Sequence, residues 1–346
     1  MKKKFITCVV IIFFAFAFFC FYYINDLKSS SIPSDDSPVS VEKPVKDVKS
    51  WTPSTDNVYM VLKNVKFRFE EDIFINIHSM TSILEPIKPY RYVDMNNANS
   101  FSIKILSQQC SLDSSVIEKL FSRYVLNYEG ATLKDIKMSI IEMKVRKTGM
   151  LKISGMMKLG IWLPFEMLAR VGLETSNGRM TIEAEKIKAA GMPFIKGLMD
   201  RTGIKLENLL TIKPGKGVSI IKNTMYVEAL KLIPSPKLSG NIIDVQVNVK
   251  NNCIDLKGGE EKPSEVKYSL LATEAKNYIY IFQGSVIFGK LLVSDGRTQL
   301  VDTMPSDYLD FYLKKYLLQL SRSEIRMTEG SSLIVYMPDY QSIVKK

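Results

Sequence analysis

The stretch LKISGMMKL, Leu151–Leu159, has the pattern of a β-strand that is buried on one face. Its odd-numbered residues are apolar or glycine, whereas Lys152, Ser154 and Lys158 lie on the other face. The run from Ile243 to Val249 alternates in the same way. Because successive side chains of a strand point to opposite faces, both runs predict half-buried strands of an antiparallel sheet.

The same alternation, or a short β-branched run, predicts further strands along the chain. They are Val58–Phe69, Ile73–His78, Phe101–Leu106, Ile136–Val145, Met180–Ile187, Ser219–Leu230, Tyr278–Phe282, Val286–Val293 and Leu333–Met337. In the fourth of these runs the apolar phase changes between Ile140 and Ile141, which predicts a β-bulge and a bent strand.

Three segments have helical spacing instead. After Asp113, Ser115 and Glu118 stand at capping-box spacing, and a wide apolar stripe continues to Tyr128. Pro193 is predicted to begin a short second helix. Residues 306–322 carry leucines on one side and predict a third. Strands outnumber helices, and no alternating βαβ units are found, so the sequence predicts the α+β class.

The N-terminal segment predicts a membrane anchor. Residues 5–24 carry no charge, and a helix of that length crosses the hydrocarbon layer of roughly 30 Å. Lys2, Lys3 and Lys4 precede it, which predicts residues 1–4 in the cytoplasm and the remainder on the periplasmic or extracytoplasmic side. A signal peptide cleaved after Ala17 is the alternative. Residues 25–56 are rich in serine and proline and predict a flexible linker, so the folded domain is expected at 57–346.

The net charge of the chain is +11, and most of this excess belongs to the expected domain. Outside the first 56 residues there are 40 Lys and Arg against 30 Asp and Glu. Such an excess favours anionic partners, although it also serves simple solubility. No run of five or six consecutive basic residues occurs, so nucleic acid is not expected as a partner.

Catalytic and metal-binding patterns are not found in the sequence. The single histidine, His78, lies in a strand-like run and is expected to be structural. Only Cys110 and Cys253 lie in the expected domain; whether they pair is open, and no Cys-x-x-Cys motif occurs. The sequence therefore predicts no catalytic residues, no metal, no cofactor and no enzymatic activity.

Four stretches of the chain resemble bacterial members of the tubular lipid-binding (TULIP-like) superfamily. They succeed one another in the family's order: VIEKLFSRYVLNYEGATLKDIKMSI from Val116, MLKISGMMKLGIWLPFEM from Met150, RMTIEAEKIKAAGMPFIKGLMDRTGIKLENLL from Arg179 and NTMYVEALKLIPSPKLSGNIIDVQV from Asn223. The resemblance implies a core at about 112–256, with a strand–helix–strand extension at 276–340. It also implies a strongly curved antiparallel sheet wrapped around a long helix, with an apolar groove between them.

The implied function is non-catalytic binding or transfer of lipid at the outer face of the bacterial cytoplasmic membrane. Acyl chains, expected to be those of a phospholipid, would lie in the groove. The candidate lining residues are Val116, Leu120, Val125, Ile195, Leu198 and Met199. The alternative is a membrane-tethered envelope scaffold or protein-interaction domain with the same fold and a filled core.

Overall fold

Strands dominate the computed structural model, which describes residues 57–143, 148–159, 161–189, 192–195, 205–259, 266–328 and 332–344. For residue 159 and residues 192–195 only the backbone is described. Strands account for 57% and helical residues for 13%. The predicted α+β class is therefore wrong, because this is a mostly β fold with several sheets and only short helices.

The strands of the described residues are numbered here in chain order. They are β1 Val58–Glu70, β2 Ile73–Pro86, β3 Val93–Asp94, β4 Phe101–Asp113, β5 Leu133–Met143, β6 Thr148–Leu159, β7 Ile161–Glu174, β8 Arg179–Ala189, β9 Met192–Ile195, β10 Val218–Ile221, β11 Thr224–Val227, β12 Lys237–Ser239, β13 Ile242–Asn248, β14 Cys253–Gly259, β15 Tyr278–Phe282, β16 Ser285–Phe288, β17 Leu291–Ser294, β18 Arg297–Asp302, β19 Leu309–Tyr312, β20 Glu324–Thr328 and β21 Ser332–Met337.

The helices of the same residues are short. They are α1 Ser114–Leu120, followed directly by a π-helical turn Phe121–Val125, then α2 Leu206–Leu209, α3 Ala229–Leu232, a 3₁₀ turn Leu313–Lys315, α4 Tyr316–Leu320 and α5 Tyr340–Val344.

Two large sheets and one small sheet organise these strands. The first sheet has eleven strands in the order β13-β14-β4-β2-β1-β15-β18-β21-β20, with β12 paired to β4 and β19 paired to β1. The second has seven strands in the order β10-β11-β8-β7-β6-β5, with β9 paired to β8. The third contains β17, β16 and β3. One cluster of buried apolar side chains includes residues of both large sheets and of α1.

The alternation that predicted β6 is confirmed. Leu151, Ile153 and Met157 are buried, whereas Lys152 and Lys158 are not. The bulge predicted between Ile140 and Ile141 lies earlier in β5, where the register with β6 shifts between Lys134 and Lys137. Asp135, at that shift, has a φ of 53°. The prediction of a bent strand therefore had the right element and the wrong position.

No long helix occupies the centre of the fold in the described residues, which corrects the predicted sheet wrapped around a helix. α1 has seven residues, and the π turn after it is marked by the bond from the Leu126 N–H to the Phe121 carbonyl. The capping box is not formed, because the Glu118 carboxylate accepts instead from the backbone N–H of Met138. The second predicted helix begins within strand β9. The third, predicted at 306–322, is confirmed in its second half, where the 3₁₀ turn and α4 occupy 313–320, and is wrong in its first half, which contains strand β19.

None of the helices in the described ranges is long and apolar enough to cross a membrane. The predicted anchor at 5–24 and the predicted linker at 25–56 lie outside those ranges. The finding conflicts with the predicted single-pass, signal-anchored localisation in the cytoplasmic membrane, and that localisation is not retained.

Candidate functional site

A polar cleft of about 490 Å³ opens on the eleven-stranded sheet beside the single histidine. Its size lies within the usual range for sites that bind small molecules. Strands β1, β2, β4, β14 and β19 contribute to it, together with the chain before β19 and the start of α5. The lining residues are Lys66, Asn76, His78, Ser111, Asp113, Asn251, Cys253, Met304, Asp307, Tyr308, Asp310, Asp339, Gln341 and Ser342.

His78 reaches this cleft by the ordinary alternation of β2, because it lies on the same face as Asn76, which also lines the cleft. The register between β2 and β4 pairs Ile77 with Cys110 and Ser79 with Gln109, so His78 is an extra residue there. After this bulge the buried face passes to the even-numbered residues, and Met80 is buried. The signal was present in the sequence, because the apolar phase of this strand changes from Ile75 and Ile77 to Met80.

A chain of hydrogen bonds runs through His78. Its Nε2 lies 2.8 Å from Ser111 Oγ, which in turn donates to Asp255 Oδ1 over 2.6 Å. Its Nδ1 is bonded to the hydroxyl of Tyr308. Because Ser111 has one hydroxyl proton and donates it to a carboxylate, its oxygen accepts from His78 Nε2–H. In the neutral imidazole, Nδ1 then accepts from Tyr308.

This proton arrangement differs from that of a catalytic triad. In a triad the serine gives its proton to the imidazole, which activates the oxygen as a nucleophile. Here the Ser111 proton is directed to Asp255, and Ser111 is buried. Burial also raises the pKa of the Tyr308 hydroxyl. The arrangement orients Tyr308 at the cleft and activates no nucleophile.

The two cysteines of the described residues are both free and buried. Cys253 pairs in register with Asp113, whereas Cys110 pairs with Leu256. Burial, with the nearby Asp255 charge, raises the pKa of each thiol to about 12. Since the thiolate is the reactive form, neither sulfur is an activated nucleophile at neutral pH.

Four aspartates give the cleft an acidic character, although the net charge of the chain is positive. Asp310 is paired with the buried Arg68, but Asp113, Asp307 and Asp339 form no ion pair with a cation of the described residues. Desolvation raises the pKa of Asp113, and Lys66 partly opposes this shift. Desolvation also raises the pKa of Asp339 to about 6. The hydrogen bond that its carboxylate accepts from the backbone N–H of Asp310 acts in the opposite direction and only partly offsets this shift. The cleft therefore favours a positively charged ligand.

No group of three His, Cys, Asp or Glu side chains in the described part of the chain is placed to hold one metal ion. The acidic residues of the cleft therefore do not form a recognisable metal centre there.

The six residues predicted to line a lipid groove divide into two sets. Val116, Leu120 and Val125 are buried and belong to the main apolar cluster. The side chain of Ile195, and all of Leu198 and Met199, lie outside the description. One apolar cavity, bordered by Phe67 and Ile103, has a volume of about 10 Å³, near the lower limit for a single water. Acyl-chain binding stays a prediction.

No family model matches the chain, and neither a curated protein nor a solved structure matches it. The resemblance to the TULIP-like superfamily therefore also stays a prediction.

Proposed function

We propose that this chain is a non-catalytic binding protein whose acidic cleft takes a small polar ligand that carries a protonated amine. The observation that carries the proposal is the presence of Asp113, Asp307 and Asp339 in one cleft, none of them in an ion pair with a described cation. A cationic group would neutralise these carboxylates, of which Asp113 and Asp339 are partly shielded from water, where charge–charge interactions are stronger than at the open surface.

The remaining lining groups suit a polar ligand. Asn76, Asn251 and Gln341 supply amide donors and acceptors, and Tyr308 presents a hydroxyl held by His78. Lys66 is directed to the ring of Phe74, with Nζ 4.4 Å from the centroid, so part of its charge is satisfied within the protein.

A matched pair of probes tests the proposal: N-acetyl-lysine amide and N-acetyl-norleucine amide, which differ mainly by the ammonium group. Ligand-observed NMR on the full chain should detect the lysine probe and not the norleucine probe. The double substitution Asp307→Asn with Asp339→Asn should abolish this signal, because Asn keeps the shape and loses the charge. Asp295→Asn, an exposed aspartate outside the cleft, should leave it unchanged. Equal binding of both probes, or of neither, would contradict the proposal.

A further inference from the structure

Strand β20 forms one end of the eleven-stranded sheet, and within the described residues it pairs only with β21. An end strand carries a row of backbone N–H and C=O groups that no neighbouring strand satisfies. All four residues from Glu324 to Met327 are exposed, so this edge is open in the described part of the chain. It is distinct from the acidic cleft, to which β20 contributes no residue.

The usual protections of an open edge are not found in β20. Natural edges carry lysine, proline or a bulge, each of which discourages a second strand from pairing. β20 has neither lysine nor proline, and its five residues pair with β21 without a shift of register. Its two charges neutralise each other, because Arg326 Nε lies 2.8 Å from Glu324 Oε1. The edge is therefore regular and carries no net charge that would repel another strand.

The opposite end of the same sheet is protected. The register of β13 shifts between Ile242 and Asp244, so the pairing there is irregular. Val247 of β13 also packs on Gly149 of β6, where a Cβ atom would lie 2.6 Å from the Val247 side chain. Of the two ends of the sheet, β20 is the one left open to another strand.

Apolar side chains of β20 extend the core face of the sheet to its open edge. Ile325 and Met327 lie opposite Val335 and Leu333 of β21 and share their face, on which Val335 is buried. Ile325 is nevertheless 51% exposed, and Met327 is 79% exposed, the highest value among the large apolar side chains of the described residues. Such an edge favours an added strand that presents apolar side chains at the same spacing.

β20 is itself such a strand. If a second copy runs antiparallel about a two-fold axis at Arg326, Ile325 lies opposite the partner's Met327, and Glu324 lies opposite the partner's Thr328. All five residues then pair, and apolar side chains meet apolar side chains on one face. The two copies of Arg326 meet at the axis, each beside its own Glu324, which offsets their repulsion.

Other registers fit less well. A shift by one residue sets Ile325 opposite the partner's Arg326, an apolar side chain against a charge. A shift by two in either direction leaves Ile325 or Met327 opposite a residue outside β20. In one of these registers that residue is Ser323, whose N–H is already bonded to the carbonyl of Leu320 in the turn before the strand. The edge is therefore self-complementary with the axis at Arg326.

We propose that β20 is a self-association edge through which two copies of this chain pair and join their eleven-stranded sheets. The contact would satisfy backbone groups of both β20 strands and would cover Ile325 and Met327 of each copy. A strand from another protein would have to present the same alternation, which a second copy supplies by its own sequence.

Sedimentation equilibrium of the full chain tests the proposal with a matched pair of variants. Ile325→Lys places a charge on the open edge, whereas Ile243→Lys places the same charge on β13, at a residue that is 52% exposed. Both side chains are exposed, so both variants should fold. Ile325→Lys should raise the dissociation constant of the dimer at least about tenfold, because each lysine would face the partner's Met327. Ile243→Lys should stay within about twofold of the wild type.

Two results of this experiment would overturn the proposal. One is a wild-type chain that stays monomeric over its whole soluble range, which would leave the edge to an extended segment of another protein. The other is a dimer that is indifferent to Ile325→Lys, which would place the contact elsewhere in the chain.

Disulfide cross-linking tests the register. The Cα atoms of the two copies of residue 326 would lie about 4.5–5.5 Å apart, within the range that a disulfide bridges. Arg326→Cys should therefore cross-link to itself under mild oxidation, whereas Thr328→Cys should not, because its counterpart lies four residues further along the strand. The wild type under the same oxidant gives the background from the native cysteines, of which Cys110 and Cys253 are buried. Equal cross-linking of the two variants would contradict pairing about Arg326.

Discussion

Arg68 and Asp310 form a two-point ion pair inside the protein. Arg68 Nε lies 2.5 Å from Asp310 Oδ1, and Nη2 lies 3.0 Å from Oδ2. Arg68 is 2% exposed, and its third nitrogen donates to the carbonyl of Glu71 over 2.6 Å. The pair joins β1 to β19, two strands that run parallel and are separated by more than two hundred residues. It therefore fixes one wall of the acidic cleft.

Asp310→Ala should destabilise the protein by about 3–5 kcal/mol, because it leaves the Arg68 guanidinium buried without a counterion. Urea unfolding followed by circular dichroism measures the change in the free energy of unfolding. The control is Glu324→Ala, which removes the partner of the exposed Arg326 and should change stability by at most about 1 kcal/mol. Equal losses in the two variants would mean that the Arg68–Asp310 pair is effectively solvated.

His78→Gln should lower stability by about 1–2 kcal/mol, because the bonds to Ser111 and Tyr308 are remade only in part. It should leave binding of the lysine probe within about threefold of the wild type, since the carboxylates of the cleft remain. Thermal melting and the NMR titration measure the two effects separately. Complete loss of binding of the lysine probe, with the melting temperature of the wild type, would show that His78 has a direct chemical role.

Asp339→Asn should stabilise the protein at pH 7.5 and have little effect near pH 4. The folded state holds the Asp339 proton up to a pKa of about 6, whereas the unfolded state releases it near 3.8. The folded state is therefore stabilised by binding this proton, fully so below about pH 3.8, and that stabilisation is lost as the pH rises through about 6. Asn keeps the acceptor for the Asp310 N–H and removes the buried charge.

The expected gain from Asp339→Asn is at most about 1 kcal/mol, because the side chain is only half-buried and water screens part of the shift. Melting temperatures of the variant and the wild type, compared across this pH range, measure it. A gain of the same size at both ends of the range would assign the effect to packing and not to titration.

Local patterns in the sequence were sufficient for most strands and for only part of the predicted helices, namely the short helix after Asp113 and the second half of the segment at 306–322. Strand β15 was predicted with both of its bounds, because a β-branched and aromatic run has no competing interpretation. The segment at 306–322 has a leucine stripe at helical spacing, but Leu309, Phe311 and Leu313 also alternate, and all three are buried. Pairing with the distant β1 makes Leu309–Tyr312 a strand, and no local signal reports such a pairing, whereas the residues from Leu313 to Leu320 are helical as predicted.

The acidic cleft was not predictable for the same reason. His78, Ser111, Asp255 and Tyr308 come from four separate parts of the chain, and only the order of strands in the large sheet brings them together. The structural role expected for His78 stays a prediction, and its two hydrogen-bond partners could not be named from the sequence. The outward position of Lys152 and Lys158, in contrast, was predictable from the alternation of β6 alone.

Leu120→Trp distinguishes the filled core from the predicted lipid groove. Leu120 is 3% exposed and lies with Val116 and Phe121 in the main apolar cluster. A larger side chain in a packed core forces neighbours out of their preferred rotamers and costs about 1–3 kcal/mol, whereas a residue that lines an empty groove has room for it. We expect strong destabilisation, measured as a lower urea midpoint with an unchanged slope.

The matched control for Leu120→Trp is Leu291→Trp, because Leu291 is 52% exposed and receives the same enlargement without packing strain. Native mass spectrometry of both variants and of the wild type would report any lipid that purifies with the full chain. A Leu120→Trp variant that melts like the wild type and has lost such a lipid would favour the groove over the filled core. Loss of stability at Leu120 alone, with no lipid bound to any of the three proteins, would favour the filled core, because tryptophan then competes for space with protein atoms.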